Sequence, residues 1–587
     1  MLRPYCLPID RNKIGKIIKS KSLRYSLIFI PLLMWAGFDL FAPKPYWLAR
    51  GDSEQDITFL ALRILHGYPP NHPHPGTPVL FLQAGLLKLA GGTLEAVPRY
   101  LFWSDAAVAL ARTLGLLLAF WIMSPEVPWR LRWALALLWM SHPTFWAFAE
   151  IHNTDSYLAP VGLLFVLQTW RLIQRCERVL TWEYLLWGFL GGLLISIKMA
   201  SLPVVLSSLV VLGLYALIAG VKQRRLRFVA TWLGAVFILM ASFTVLGTWP
   251  AISVFKAWHF AKGVLRRPDV HLSGTSWEAI RKVYLRIINP GDHYWLGVAL
   301  IWLLVLGARF IWETWQTFRH PLCSCYKERI IFLFVLLNLS FWFYTLAVQK
   351  AYMSDIHLRV LSIGYPLRNT YPPTWAFLLL LLPWGNEPSL PSKTSVYVLL
   401  FSIAAFGIAA LGFYREREQD YQFMLQYASA MQTMINKYQP EHSKRIAFWI
   451  TKGLPLVPEA AFYFEGFYYR GFDEIEPALL QKFPSYTLFY LRPLGRFARS
   501  RPELLKTPCP PSSANTKKRL SAFMGDEHVD VAFVVFWDWE MRTMFHLTPE
   551  EVAHLICLSG YQPTRIFDER TGPFRWIWIE VQKQTYP

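Results

Sequence analysis

The chain has 587 residues, of which 54% are hydrophobic and only 17% are charged. A soluble protein of this size has about 25% charged residues and does not gather its apolar residues into long runs. The formal net charge of +20 does not indicate a nucleic-acid partner, because the basic residues lie in short segments between apolar runs. We therefore expect an integral membrane protein that contacts membrane lipids and no nucleic acid.

Apolar runs predict about eleven transmembrane helices, since a helix needs about 20 mainly apolar residues to cross the hydrocarbon core. Trp and Tyr, 27 of each, cluster at the ends of the runs, as interfacial anchors do. The run at 375–384 is short and is predicted to be a tilted or half-buried span. In chain order the runs are 25–42, 106–123, 131–148, 157–170, 184–197, 203–219, 228–248, 295–312, 330–347, 375–384 and 396–413.

The basic segments set the predicted topology. Residues 1–24 are rich in lysine and arginine, and no small-residue cleavage site follows the first run. These features indicate an uncleaved signal anchor with a cytoplasmic N-terminus. Counting eleven spans from there places most basic loops in the cytoplasm and the C-terminal residues outside. The predicted outer loop 250–294 is also basic. Either the topology is different there or these cations serve a purpose, and we favour the second interpretation, in which they bind a ligand.

The six cysteines agree with this topology. Only Cys509 and Cys557 fall outside the cytoplasm, where oxidising conditions permit a disulfide. Their spacing alone does not decide whether they pair. The other four cysteines fall on the predicted reducing side: Cys6, Cys176, Cys323 and Cys325.

The first outer loop carries three carboxylates directly after the first span: Asp52, Glu54 and Asp56. Carboxylates at the mouth of a membrane bundle are costly to desolvate and are candidates for function. The alternative is a solvated first turn, in which acidic side chains complement the helix dipole. For Asp52, between a glycine and a serine, we favour the functional interpretation.

Two histidines follow in a proline-rich segment at 68–78, which contains His72 and His74 and must break any helix. The apolar run 79–90 after it is short and ends at two glycines. It predicts an interfacial or re-entrant helix and not a span. The histidines can shape this loop, or they can hold a divalent metal together with the carboxylates, with Asp52 and His74 as the first metal-ligand candidates.

These segments resemble the C-type superfamily of integral membrane glycosyltransferases, which use sugars carried on polyprenyl phosphate. The superfamily includes the protein O-mannosyltransferases and the aminoarabinose transferases of lipid A. Its members follow the first span with an acidic motif, an interfacial helix, and a His-Pro-Pro-Gly-like segment. Here the matching segments are 51–53, 61–67 and 74–78. His-Pro-Gly stands where many members have His-Pro-Pro-Gly, and Asp-Ser-Glu replaces the commoner Asp-Glu pair.

Three later positions extend the resemblance over about residues 25–385. Asp155 heads the fourth span, where members often carry an aspartate, and Lys198 lies at the outer end of the fifth. A basic loop rich in tyrosine and proline, 350–373, precedes a late span. No single motif is specific, but the segments agree in order and all fall on one predicted side of the membrane.

The resemblance implies transfer of a sugar, with inversion at the anomeric carbon, from a polyprenyl-phosphate donor to a lipid, glycan or protein acceptor. The acceptor must lose a proton, which requires a carboxylate base, and the leaving phosphate requires a nearby cation or metal. Asp52 is the expected base, with Glu54 and Asp155 as further catalytic candidates. The substrate-binding candidates are Asp56, His72, His74, Lys198, Lys262, Arg266, Arg267, His357, Arg359 and Arg368. Any one of the cations can instead be an interfacial residue near lipid headgroups.

We thus expect an α-helical polytopic membrane protein with interfacial helices in the first outer loop and a soluble C-terminal α/β domain. The predicted domains are a basic cytoplasmic segment 1–24, a transmembrane domain 25–414 and an extracytoplasmic domain 415–587. A bacterial inner membrane with a periplasmic site is favoured over the endoplasmic reticulum. The competing functions are a transporter or flippase of lipid-linked glycans, which would carry its ionisable residues near the membrane midplane, and a noncatalytic scaffold.

Overall fold

The computed structural model is a bundle of apolar helices followed by a mixed β-sheet. The structure describes residues 27–37, 52–67, 77–93, 96–123, 126–147, 154–175, 181–223, 227–248, 293–319, 326–348, 371–384, 392–438, 445–449, 486–487, 505–506, 508–509, 531–538, 547–558, 561–572 and 574–583.

The helices follow the apolar runs closely, because burial of an apolar face in the bundle or in lipid is what stabilises them. In chain order they are α1 (Ile30–Trp35), α2 (Asp52–Leu65), α3 (Thr77–Ala90), α4 (Val97–Met123), α5 (Trp129–Ser141), α6 (Pro143–Ala147), α7 (Thr154–Arg175), α8 (Thr181–Ile197), α9 (Leu202–Gln223), α10 (Arg227–Ser242), α11 (His293–Trp302), α12 (Ala308–Arg319), α13 (Tyr326–Val348), α14 (Tyr371–Phe377), α15 (Ser392–Tyr438) and α16 (Pro549–Leu558).

Within the described residues, six helical segments are long and apolar enough to cross a membrane. Each covers all or nearly all of one of the eleven predicted runs, so the prediction of a polytopic helical membrane protein is confirmed. The six segments are Arg99–Met123, Thr154–Arg175, Met199–Val221, Arg227–Gly247, Gly297–Trp315 and Lys393–Gln419.

The remaining runs form shorter or interrupted helices, apart from the 23-residue α13. The short run at 375–384 contains the end of α14 and a 3-10 turn, Leu378–Leu381. The run at 131–148 is not the continuous helix that its apolar composition predicts. It breaks at His142, whose ψ of 134° is extended, because the following Pro143 disfavours a helical conformation at the residue before it.

Helix α7 lies at the centre of the bundle, since nearly all of its side chains are buried. It packs against α4, α8, α9 and α14. We call the end of α7 that begins with Asp155 the outer end and the end with Arg171 the inner end, following the predicted topology. At the inner end Arg171 forms a buried ion pair with Glu183 of α8, with Nη2 and Oε1 2.7 Å apart.

The C-terminal sheet has five strands in the order β2-β1-β3-β5-β4. Strands β1, β2 and β3 are parallel, and β5 is antiparallel to both β3 and β4. The expected α/β character of this region is therefore confirmed. The strands are β1 (Arg445–Trp449), β2 (Tyr486–Thr487), β3 (Val531–Trp537), β4 (Tyr561–Thr571) and β5 (Phe574–Lys583).

Two local features stabilise this region. The capping box before α16 forms in both directions: the Thr548 amide donates to Glu551, and the Glu551 amide donates to the Thr548 hydroxyl. Cys509 and Cys557 form a disulfide with their Cα atoms 6.1 Å apart. The bond ties α16 to a segment 48 residues earlier, and it is a pairing expected outside the cytoplasm.

Helix α15 connects the two regions without a break. It has 47 residues, which corresponds to a length of about 70 Å. Its first part is the last candidate span, and its last turn reaches the sheet, where Lys437 forms an ion pair with Glu569 of β4 at 2.7 Å.

Candidate functional site

Asp155 and Lys198 meet at the outer end of the bundle. Lys198 Nζ lies 2.5 Å from Asp155 Oδ1, and the two side chains are 1% (Asp155) and 16% (Lys198) exposed. Sequence analysis placed both residues on the outer side from different helices, and the structure brings them into one ion pair. A buried carboxylate of this kind is costly without a cationic partner. Lys198 is therefore held by Asp155 while its own side chain stays partly exposed.

The backbone around Lys198 explains how this lysine reaches α7. Helix α8 ends at Ile197, and Lys198 is extended, with φ −160° and ψ 128°. A 3-10 turn, Met199–Ser201, then leads into α9. The hydroxyl of Ser201 donates to the carbonyl groups of Leu194 and Lys198 at 3.0 and 2.7 Å. The same two carbonyls also accept the backbone amides of Lys198 and Ser201, each at 3.1 Å, so the hydroxyl reinforces the turn that ends α8.

Helix α2 begins at Asp52, the expected base, which the structure therefore places in its first turn. The side chains of residues 52–56 lie outside the described set, so Asp52, Glu54 and Asp56 have no described contacts. The rest of α2 is amphipathic and packs on α3 through Ile57, Leu60 and Leu80. Gly67, with a φ of 83°, ends this element in a left-handed conformation that suits glycine.

Helix α3 is short, as predicted for an interfacial or re-entrant element, and is held by polar side chains. The Gln83 amide donates to the Tyr157 hydroxyl at 3.0 Å, and the Ser104 hydroxyl donates to Gln83 Oε1 at 2.6 Å. At the start of the helix, the Thr77 hydroxyl donates to the Gly247 carbonyl at 3.3 Å. The helix ends at Gly91 and Gly92, as the sequence indicates.

A second buried polar group lies beside this network on α4. Arg112 is 2% exposed and donates to the Phe145 carbonyl at 3.1 Å, with its guanidinium over the Phe145 ring. The hydroxyl groups of Tyr157 and Tyr371 lie near this guanidinium. Tyr371, the first residue of α14, stacks on His142 with ring centroids 4.3 Å apart. Polar groups from four helices and the break at His142 thus form one layer near the outer end.

Sequence analysis did not identify Gln83, Ser104, Arg112 or His142 as site residues. Each was hidden in or next to a run interpreted only by its apolar composition. Arg112 carried the one strong signal, since an arginine within a predicted span is a candidate for function by default. The polar role of Gln83 has no comparable signal, because an uncharged side chain in a helix is compatible with many environments.

The other predicted site residues lie outside the described residues, and the structure gives no contacts for them. They are His72, His74, Lys262, Arg266, Arg267, His357, Arg359 and Arg368. The described part of the chain holds no group of three or more histidine, cysteine, aspartate or glutamate side chains that fits a metal. The proposed metal ligands Asp52 and His74 have no described side chains, so the divalent metal stays a prediction.

The chain matches no protein-family profile and no curated protein sequence. Among solved structures it is similar to ArnT from Cupriavidus metallidurans bound to undecaprenyl phosphate, with a TM-score of 0.45 and 12% identity over 94% of this chain and 98% of that chain. The apo state of the same ArnT gives a TM-score of 0.43 and 11% identity over 95% of this chain and 98% of that chain. Both TM-scores are below 0.5, so the function is argued below from the chain's own residues.

Proposed function

We propose that the chain is a membrane glycosyltransferase of the C-type superfamily that moves a sugar from a polyprenyl-phosphate donor to an acceptor on the outer face. The proposal joins the sequence motifs of the first outer loop with the ion pair of Asp155 and Lys198. That ion pair is the observation on which the proposal depends, because it gathers a carboxylate and a cation at the expected face of the bundle.

The reaction is a displacement at the anomeric carbon. The hydroxyl or amine of the acceptor attacks this carbon, and the new bond forms as the bond from the carbon to the phosphate oxygen breaks. Asp52 takes the proton of the acceptor. The electron pair of the broken bond stays with the polyprenyl phosphate, whose added negative charge requires a cation close by. Attack from the face opposite the leaving phosphate inverts the configuration of the sugar.

Lys198 is the cation proposed to contact the leaving phosphate. Its side chain is partly exposed, whereas that of Asp155 is almost fully buried. In this arrangement Asp155 holds the ammonium group in position, and Lys198 presents it to the phosphate. A fixed ammonium group stabilises developing charge better than a mobile one, because it needs no reorganisation during the reaction.

The transporter alternative requires ionisable residues near the midplane of the membrane. Among the described residues Arg112 comes nearest to this requirement, since it stands in the middle of the candidate span Arg99–Met123. One helical turn along α4 from Arg112, Gly115 packs against Pro160, which is itself near the outer end of α7. Arg112 is therefore level with the first turns of α7, at the same end as Asp155. The other candidate residues fall in the predicted outer loops, which disfavours a transporter. In a noncatalytic scaffold the ion pair would only hold α7 and α8 together, and the carboxylates of the first outer loop would tolerate substitution.

The test is a transfer assay with the purified full-length chain in liposomes. Radiolabelled sugars on polyprenyl phosphate, hexoses and pentoses in separate reactions, are incubated with lipid, glycan and protein fractions of a bacterial envelope. We expect label to move to one fraction and inversion to appear in the product by NMR. Repetition with EDTA decides whether a divalent metal is required. Absence of transfer from every donor, with a folded and monodisperse protein, would contradict the proposal.

A further inference from the structure

We propose that Gln83, through its hydrogen bonds to Tyr157 and Ser104, is a positioning residue that fixes the α2–α3 unit, and with it Asp52, relative to Asp155 and Lys198. The inference rests on the proposed function for the role of Asp52. It concerns residues to which neither the motifs nor the reaction assigns a part.

The three side chains form a closed buried network. Gln83 and Ser104 are each 0% exposed, and Tyr157 is 7% exposed. Gln83 uses its amide as a donor to Tyr157 of α7 and its carbonyl as an acceptor from Ser104 of α4. One side chain of α3 therefore links two spans. A buried polar group without partners is costly, so the network has a strong preference for this single arrangement.

The network also lies close in the chain to the ion pair. Tyr157 follows Asp155 by two residues in the first turn of α7. If α3 moves away from Tyr157, the distance between α3 and the Asp155 carboxylate therefore changes as well. Two further polar contacts join the ends of α3 to spans: the Thr77 hydroxyl donates to the Gly247 carbonyl at 3.3 Å, and the Arg99 guanidinium donates to the Ala90 carbonyl at 3.5 Å.

Helix α2 depends on α3 for its position. The side chains that bury its apolar face against α3 include Ile57, Leu60, Ala61 and Leu62. Apolar packing of this kind is not directional, and by itself it permits sliding along the spans. Directional hydrogen bonds from α3 to α4 and α7 remove that freedom. Because Asp52 is the first residue of α2, fixing α3 fixes the base.

Three substitutions each remove the hydrogen-bonding group of a different member of the network: Tyr157→Phe, Ser104→Ala and Gln83→Leu. Ser104→Thr keeps the hydroxyl and is the conservative rescue. Ser208→Ala is the matched control, because the Ser208 hydroxyl is equally buried and bonds Thr169 and Trp187 at 2.8 and 3.0 Å. That second network joins α7, α8 and α9 and does not contact α3. All variants are compared at equal monodispersity in detergent.

For the three network variants we expect kcat to fall about 10- to 100-fold, since small misplacement of a catalytic group has effects of this size. The KM for the donor should change little, because the interaction that is lost acts in the transition state. Ser104→Thr should recover most of the wild-type kcat, and Ser208→Ala should keep it. Equal losses in Ser208→Ala and Ser104→Ala would show that any buried hydroxyl has the same effect, and would overturn the proposal.

A distance measurement tests the positioning without relying on transfer. Spin labels at position 66, at the exposed end of α2, and at position 206 of α9 are placed in a chain whose four predicted cytoplasmic cysteines are serine. Pulsed dipolar spectroscopy should give one narrow distance distribution in the labelled wild type and in Ser208→Ala, and a broader or shifted one in Tyr157→Phe. Unchanged distributions in Tyr157→Phe would refute the positioning role. A changed distribution in a chain that transfers no sugar would instead refute the proposed function and leave the network as a structural link.

Discussion

Asp155 and Lys198 form an ion pair between the outer ends of α7 and α8, and Arg171 and Glu183 form a second one between the inner ends of the same helices. Sixteen residues of α7 separate Asp155 from Arg171, which corresponds to about 24 Å along the helix. The two pairs are equally well suited to holding the helices together. Only the outer pair is expected to take part in the reaction. The inner pair is therefore an internal control for the effect of losing an ion pair between these helices.

The first prediction separates the structural from the chemical role of Lys198. Lys198→Ala should lower the stability by about 3–5 kcal/mol, because it leaves the buried Asp155 carboxylate without its cation. Adding Asp155→Asn to Lys198→Ala should restore most of the stability, since no charge remains buried. Transfer should stay lost in the double variant. Thermal unfolding in detergent and the transfer assay measure the two effects.

The inner pair provides the comparison. The double variant Arg171→Met with Glu183→Gln should be about as stable as the outer double variant and should keep its transfer activity. If both double variants lost activity equally, the ion pairs would act only through the packing of α7 on α8. If the outer double variant kept normal activity, Lys198 would not contact the phosphate.

The second prediction concerns Asp52. Asp52→Asn keeps the size of the side chain and removes its charge, and loss of a general base typically lowers the rate about 10²- to 10⁴-fold. We expect a loss in kcat of this order in the liposome assay. Glu418→Gln is the matched control, because it neutralises an exposed carboxylate on α15, far along the chain from the first outer loop.

The acidic motif offers two other carboxylates if this expectation is wrong. Normal turnover by Asp52→Asn would exclude Asp52 as the base and direct the same test to Glu54 and Asp56. Normal turnover by all three variants would favour a scaffold without catalytic activity.

The third prediction concerns the side of the membrane on which the C-terminal region lies. A reporter fused after Pro587 should be active only outside the cytoplasm, as the odd number of predicted spans and the disulfide both require. In intact cells, a membrane-impermeant maleimide should label Cys509 and Cys557 only after reduction. Labelling without reduction would contradict the disulfide. Absence of labelling even after reduction, or a reporter active in the cytoplasm, would reverse the topology and remove the predicted outer loops from the donor side.

The fourth prediction concerns the stability of the sheet region. Cys557→Ser should lower the free energy of unfolding of this region by about 2–4 kcal/mol, the typical contribution of a disulfide that closes a long loop. Far-UV circular dichroism of the full chain with and without reductant should show the same loss in the wild type. An oxidised wild type that melts together with Cys557→Ser would contradict the stabilising role.

Several elements were predictable from the sequence because one local signal determines them. The capping box at Thr548 and Glu551, the glycines that end α3, and the apolar runs of the six candidate spans are all local. Strand β4 is not predictable from the sequence, for a physical reason. It lies at the edge of the sheet with most of its side chains exposed, so it lacks the alternation of buried and polar residues that predicts a strand.

The candidate site was only partly predictable. A sequence can place Asp155 and Lys198 on one side of the membrane, but only the packing of α7 on α8 brings them into contact. The network around Gln83 depends on three helices meeting at one point, and no spacing in the sequence encodes such a meeting. Polar residues inside apolar runs are the positions where a sequence-based interpretation was least complete.

Because α15 is one uninterrupted helix, it limits the insertions and deletions that the protein can accept. Each residue of an α-helix advances the chain by 1.5 Å and turns it by about 100°. A single inserted or deleted residue between Gln419 and Lys437 would therefore rotate the whole sheet, together with the Lys437–Glu569 ion pair, about the helix axis relative to the membrane-spanning part of the chain. A flexible linker would absorb the same change. We therefore infer that this stretch tolerates many exchanges of exposed residues but not the gain or loss of one.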